Sequence, residues 1–372
     1  MPKIAIVTNT AWNIVNFRMG LMRALREQGN EVICIAPPDE RVSIIEEQGF
    51  RFVPLTHLSR KGMTLLKDFS LIRELSRIYK EEQIDLAMHF TIKPNIYGSI
   101  AAASVNVKSI CTVTGLGYTF LSQGFVHKIT KVLFRLAFRK AEKVIFQNND
   151  DQQLFVESRL VGAGKTLIIK GSGVNTDYFK PRQAEHAANG KIRLLYVGRL
   201  LYDKGLRELY EVSGILAREF SNLEIHIVGG IDNENPSAIR REFLDKWLKE
   251  QSAVQYHGAT DDIRPFIAEA DVIVLPSYRE GLPRTNLEAM CMEKPIITTD
   301  VPGCKDTVIE GMNGLMVKVK SPESLANAIR KIIGLDEAQR HAMGVHGRRL
   351  AIRDFDEKIV ISKYLNVVNA VS

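Results

Sequence analysis

The chain reads as two α/β domains in series, each a doubly wound parallel sheet with helices on both faces. Three observations predict this. Short apolar runs alternate with amphipathic helical patterns from end to end, the alternation restarts once near residue 191, and 372 residues exceed what a single core usually organises. The first series of strand-like runs covers 3–8, 31–36, 51–55, 86–90, 109–115, 143–147 and 167–170. The second covers 192–199, 223–230, 254–258, 271–277, 295–300 and 314–319. Their almost unbroken apolar character is that of strands buried on both faces. Between the series, 171–190 is rich in turn formers and has no period, which places the boundary there. The expected domains are 1–172 and 173–355, with a last helix over 356–372.

Composition narrows the class of partner. Apolar residues are 45% and charged residues 25%, the balance of a soluble globular protein. No apolar run is long enough to span a bilayer, and Met-Pro-Lys-Ile-Ala-Ile-Val-Thr leads into a strand without a signal-peptide layout, so a cytoplasmic address is expected. The net charge of +7 suggests an acidic partner, either a phosphorylated substrate or an anionic lipid surface. Zinc-finger spacing and aromatic-interleaved basic strands are missing from the sequence, which argues against nucleic acid. Cys34, Cys111, Cys291 and Cys304 are scattered and read as reduced core residues.

Ligands of open parallel sheets sit beyond the carboxyl ends of the strands, so the segments there are the candidates, with substrates expected between the two domains. After the first strand, 8–18 presents Asn13, Asn16 and Arg18 either to an acceptor's phosphates or as part of a helix-capping loop. After the fourth, His89 and Lys93 stand in 88–95, the histidine being either a ligand contact or a satisfied structural group. After the fifth, Thr114, Gly115, Gly117 and Tyr118 form either a close-approach loop or a tight turn with an aromatic plug.

The helical stretch 125–143 sets Lys128, Lys131, Arg135 and Arg139 three, four and four residues apart, on one stripe. Such a stripe suits an anionic membrane surface or is the solvated outer face of a packed helix. Arg60 and Lys61, with Lys67, add a second basic patch around 63–66.

In the second half, Gly198, Arg199 and Lys204 follow a strand and precede a helix. Paired cations there can neutralise a pyrophosphate. Gly229 and Gly258 close the next two strands and leave room for a nucleobase. Glu280-Gly-Leu-Pro-Arg-Thr-Asn-Leu-Glu288 then runs from a strand end into a helix, where unpaired amides and the helix dipole favour an anion between two carboxylates.

Gly198-Arg-Leu-Leu-Tyr-Asp-Lys-Gly205 followed by this Glu280–Glu288 motif resembles the retaining glycosyltransferases of family 4, whose architecture is GT-B. The resemblance covers nearly the whole chain. Its first-half motifs are similar to those of bacterial enzymes that assemble undecaprenyl-diphosphate-linked oligosaccharides for N-glycans, O-antigens and capsules, N-acetylgalactosaminyltransferases among them.

The resemblance implies a UDP-sugar donor held by Arg199 and Lys204 at the diphosphate, Glu288 at the ribose and Glu280 at a sugar hydroxyl. Backbone around Gly281, Leu282, Pro283, Thr285, Asn286 and Leu287 would serve sugar and phosphate. It also implies a lipid-linked acceptor at Asn16, Arg18, His89, Lys93, Thr114, Gly115, Gly117 and Tyr118, a peripheral place on the inner membrane, and a last helix crossing back to the first domain. Several members carry a histidine in the loop where this chain has Thr114-Gly-Leu-Gly117, and its role is assigned to no residue here. No cofactor or metal is expected, because cations and helix amides can stabilise the departing diphosphate. Attack on the sugar is expected from the front face, with Glu280 not acting as nucleophile. Two rivals share the pocket: a nucleotide-sugar epimerase, and a UDP-sugar-binding protein without turnover.

Overall fold

In the computed structural model the apolar runs become strands at the expected places. The structure describes residues 1–58, 65–116, 125–182 and 190–371, by backbone alone at 65–67 and 125–127. Contacts divide it into two units, Met1–Ser172 with the segment from Glu357 onward, and Gly173–Asp356.

In the first unit, β1 (Lys3–Val7), β2 (Glu31–Ala36), β3 (Arg51–Pro54), β4 (Leu86–Phe90), β5 (Lys108–Val113), β6 (Lys143–Phe146) and β7 (Thr166–Ile168) form a sheet. Its order among the described residues is β3-β2-β1-β4-β5-β6-β7. In the second, β8 (Ile192–Val197), β9 (Leu223–Val228), β10 (Val254–Tyr256), β11 (Val272–Leu275), β12 (Ile296–Thr299) and β13 (Gly314–Val317) follow the order β10-β9-β8-β11-β12-β13. All neighbours are parallel. The order reverses between β1 and β4, and between β8 and β11. These two switch points are where loops diverge and a ligand finds room.

Each sheet is covered on both faces, which explains its apolar strands. In the first, Ala5, Val7, Ala87 and Cys111 face one cluster, while Ile4, Ile6, Leu86 and Met88 face the other. The second divides in the same way, with Leu194 and Val274 opposite Leu195 and Ile273. All four cysteines are buried thiols. Burial pushes each of them up to about 12, so they are inert packing groups.

The helix Glu357–Val371 belongs to the first unit. It buries Val360, Tyr364 and Val368, spaced by four, beside the helix Met19–Glu27. Gly20 permits the approach, since a Cβ there would lie 3.1 Å from Ile361 Cδ1. The two connections to the second unit are fastened together inside it. Val174 pairs in parallel with Asp356, Val174 N–H donates to Phe355 O at 2.9 Å, and Thr176 Oγ1 donates to the Asp356 carboxylate.

Candidate active site

At the switch point of the second sheet the loops after β8 and β11 touch. Gly205 has φ +76°, and a Cβ on it would lie 2.2 Å from Pro276 O, so only glycine fits there. Tyr278 N–H donates to Asp203 O at 2.8 Å, and the Lys204 ammonium donates to the Glu280 carboxylate. Tyr278 Oη donates to both oxygens of the buried Glu208, at 2.8 and 3.0 Å, bracing the two loops a second time. Burial and that carboxylate push the Tyr278 phenol well above its ordinary value. From behind, Glu280 N–H donates to Pro302 O at 3.1 Å, and a Cβ on Gly303 would stand 2.4 Å from Glu280 O.

The other predicted donor residues gather at the same edge. A Cβ on Gly229 would lie 1.8 Å from Gly198 O, and Gly229 N–H donates to Gly258 O at 2.8 Å. The glycines after β8, β9 and β10 are therefore neighbours. Arg199 is exposed and gives Nη1–H to Asp232 Oδ2 at 2.9 Å. Gly281 and Pro283 are buried ahead of the helix Arg284–Cys291, with Leu282 half-buried between them. Thr285 Oγ1 donates to Val197 O at 3.3 Å, tying that helix to β8. Asn286 Nδ2 donates to Thr307 Oγ1 at 2.9 Å, and its Oδ1, like Ser277 Oγ, is buried without a partner. The Leu287 side chain is core, in one cluster with Ile273 and Ile296, which leaves only its backbone to the site.

Glu288 is buried and accepts Arg284 Nε–H at 3.0 Å, one helical turn away. Burial raises its carboxyl from 4.5 to about 7 against the pull of Arg284. Two cations, Arg199 and Lys204, thus pair with Asp232 and Glu280, while Glu288 is paired with a third, Arg284.

The first unit redistributes the acceptor candidates. Arg18 is 3% exposed, its guanidinium carbon lies 3.9 Å above the Phe90 ring, and it hydrogen-bonds Tyr364. It anchors the last helix instead of facing phosphates. His89 takes the structural one of its two roles. It is fully buried, with Tyr79 Oη 2.9 Å from Nε2 and Ser99 Oγ 3.4 Å from Nδ1, and burial lowers its pKa to about 3.

Lys93 is paired with the buried Asp68 at 3.0 Å, an acid that also accepts from Tyr97 Oη at 2.8 Å. Asn16 Nδ2 donates to Trp12 O at 2.9 Å within its own helix, Ala11–Phe17. Thr114 and Gly115 are half-buried after β5, and Gly115 has φ +140°. Gly117, Tyr118, Arg60 and Lys61 lie outside the described residues, as does the Lys67 side chain.

The basic stripe lies on the helix Phe125–Lys140, where Lys128, Arg135 and Arg139 are exposed and Lys131 is half-buried. Val132 and Leu136 are exposed among them. Arg135 is occupied, its Nε–H donating to Arg159 O at 3.0 Å at the end of the helix Asn149–Glu157.

Asp232, Glu208, Tyr278 and Gly303 escaped the sequence reading because their partners lie tens of residues away. Arg284 was findable, being four residues before Glu288 on a helix. Among the described residues no three His, Cys, Asp or Glu side chains gather as a metal site. The sequence does contain one Asp-x-Asp, Asp354-Phe-Asp356, in which Asp354 accepts from Arg353 and Asp356 from Thr176.

Two Rossmann-like units, with acids, cations and glycine turns assembled at a switch point, define a sugar-nucleotide transferase of the GT-B fold. Comparison with known proteins agrees. The family model "Glycosyl transferase 4-like" matches residues 3–148, and "Glycosyl transferases group 1" matches 177–350. The chain is a glycosyltransferase whose first unit matches the 4-like model and whose second matches the group 1 model.

It is 29% identical over 386 residues, 99% of each chain, to the N,N'-diacetylbacillosaminyl-diphospho-undecaprenol alpha-1,3-N-acetylgalactosaminyltransferase of Campylobacter jejuni. It is 24% identical to the UDP-Gal:alpha-D-GlcNAc-diphosphoundecaprenol alpha-1,3-galactosyltransferase of Escherichia coli, over 80% of this chain and 78% of that one. Among solved structures, Anabaena Alr3699/HepE in complex with UDP and glucose superposes with a TM-score of 0.81 at 16% identity, covering 99% of this chain and 100% of that one.

Proposed function

We propose that the protein transfers a hexosamine from a UDP-sugar to an undecaprenyl-diphosphate-linked sugar, with retention and without a metal, in bacterial glycan assembly. The observation that carries this is the Lys204–Glu280 pair at the β8/β11 switch point, directly before the amide-rich start of the helix Arg284–Cys291. A diphosphate entering there meets Lys204 as a point charge and Arg199 as a planar fork, and takes up the cations that Glu280 and Asp232 hold in its absence. Released from Lys204, Glu280 is an acceptor for a sugar hydroxyl. Glu288, held by Arg284, is placed for the ribose.

In the reaction the bond from the anomeric carbon to the diphosphate oxygen breaks on the face where the acceptor hydroxyl forms its new bond. The hydroxyl proton leaves on the diphosphate. The cations stabilise the charge developing there, which is the dominant catalytic contribution in such sites. The names of the Campylobacter and Escherichia relatives support the lipid-diphosphate acceptor and the first of them the hexosamine.

The exposed face of Lys128, Val132, Leu136 and Arg139 supports a peripheral station on an anionic bilayer, at its cytoplasmic side. Among the described residues no helix is long and apolar enough to cross a membrane.

The test is UDP release from a panel of UDP-sugars with lipid-diphosphate saccharides, with analysis of the products. Transfer with UDP-N-acetylgalactosamine is expected. Free epimerised UDP-sugar, or tight UDP binding without release on any acceptor, would overturn the reading.

A further inference from the structure

The second unit carries a cavity of about 350 Å³ at the opposite end of its sheet from the Lys204–Glu280 pair. Its lining comes from the residues just before β8, β9, β11 and β12 and from the first turn of the helix Glu337–Asp354. The four residues of β11 and the eight of the helix Arg284–Cys291 run from one place to the other, a separation on the order of 12 Å. The size is that of a small-molecule site.

Two cations in the lining lack a counter-ion. Lys294 is half-buried, its ammonium donates to Ala268 O at 2.7 Å, and it makes no ion pair among the described residues. Burial lowers its pKa against the pull of Asp271, Glu269 and Glu293. Arg340 is half-buried too, gives one Nη1–H to Leu335 O, and likewise makes no ion pair among the described residues.

Three carboxylates line the same cavity. Glu293 has φ +57°, and a Cβ on Gly344 would lie 1.9 Å from its carbonyl oxygen, so the corner carrying Glu293 and Lys294 is fixed against the helix Glu337–Asp354. Asp271 accepts Arg193 N–H at Oδ2, 2.7 Å away, and keeps Oδ1 for another donor. Glu337 is exposed at the rim. The amides of its helix start are already used, because Asp336 and Gln339 close a capping box at 2.7 and 3.0 Å. Ala270 and Pro295 add apolar lining.

We infer that this cavity binds a phosphorylated sugar. A bare phosphate meets Lys294 and Arg340 together with three carboxylates that repel it. A neutral sugar leaves both cations without a counter-ion. A ligand with a phosphate for the ammonium and the guanidinium fork, and with hydroxyls to donate to Asp271, Glu293 and Glu337, satisfies both sets. The ligand class follows from the lining alone, without the transferase reading, and the distance from Lys204 lets this ligand and a UDP-sugar bind together.

Calorimetry tests this with N-acetylglucosamine 1-phosphate, N-acetylgalactosamine 1-phosphate and N-acetylglucosamine 6-phosphate, against the unphosphorylated sugars and inorganic phosphate. Saturating UDP is present throughout, to keep the probes out of the Lys204–Glu280 site. At least one sugar phosphate should bind about tenfold more tightly than any control, and Lys294→Gln and Arg340→Gln should each weaken it about tenfold. Lys204→Ala should leave it unchanged. Glu337→Ala removes an exposed side chain, so Tm should hold while the sugar phosphate weakens severalfold and inorganic phosphate does not.

Failure of every sugar phosphate to bind, displacement by UDP, or inorganic phosphate bound equally well overturns the site. So does full affinity in Glu337→Ala, or in both Lys294→Gln and Arg340→Gln. If UDP itself does not bind, the donor reading fails and the three cavity variants alone decide the inference.

Discussion

The Lys204 ammonium and the Glu280 carboxylate meet where the second sheet reverses its strand order, so the cation proposed for the diphosphate and the acid proposed for the sugar neutralise each other. Both are mostly buried, with side chains 20% and 14% exposed. Removing either leaves an uncompensated partner. Lys204→Ala should lower transfer by at least about a hundredfold and weaken UDP binding by a similar factor. Glu280→Gln should abolish transfer yet keep UDP affinity within about threefold, since it removes no phosphate contact. Calorimetry with UDP beside turnover separates the two, and near-parental turnover in both variants refutes the donor assignment.

Glu288 makes stability depend on pH. Its carboxyl is at about 7 in the fold against 4.5 unfolded, so the folded state binds its proton more tightly. The resulting stabilisation is complete below pH 4.5 and is lost as pH rises to about 7, on the order of 3 kcal/mol in all. Glu288→Gln lacks this dependence. Thermal melts should therefore show the variant gaining several degrees on the parent between pH 5 and pH 8, while transfer falls sharply. Parallel melting curves at both pH values would count against the buried acid.

Chelation should leave activity unchanged, because Arg199, Lys204 and the amides beginning the helix Arg284–Cys291 already supply positive potential at the diphosphate. Inhibition by EDTA that magnesium or manganese reverses would overturn this.

The basic stripe divides into two kinds of residue. Reversing Lys128, Lys131 and Arg139 to glutamate should weaken binding to anionic liposomes by on the order of a hundredfold at low salt, and spare transfer to a short soluble acceptor. Arg135→Glu should lower Tm as well, because its guanidinium holds the Arg159 carbonyl. Liposome binding equal to the parent's in the triple variant would make the stripe a solvated face.

Periodicity made the strands legible, since burial on both faces writes a continuous apolar run such as Val272–Leu275. The candidate site was legible where its residues lie close in sequence: Glu280 and Glu288 flank one turn, and Arg199 and Lys204 another. What stayed hidden depends on distant pairing. Nothing near Arg18 announces that Phe90 and Tyr364 will enclose it, and nothing near His89 announces Tyr79 and Ser99. A polar residue at a strand end looks the same in sequence whether it faces solvent or the core.

The pairing of Val174 with Asp356 brings the two ends of the second unit side by side, so that unit has the topology of an insertion. The first unit is the host: it is interrupted after Ser172, resumes at Glu357, and is completed by its own last helix. A guest whose entry and exit adjoin can be exchanged for another without rethreading the host. The two units are then separately heritable, and new combinations of them can arise by recombination at two seams only a few residues wide.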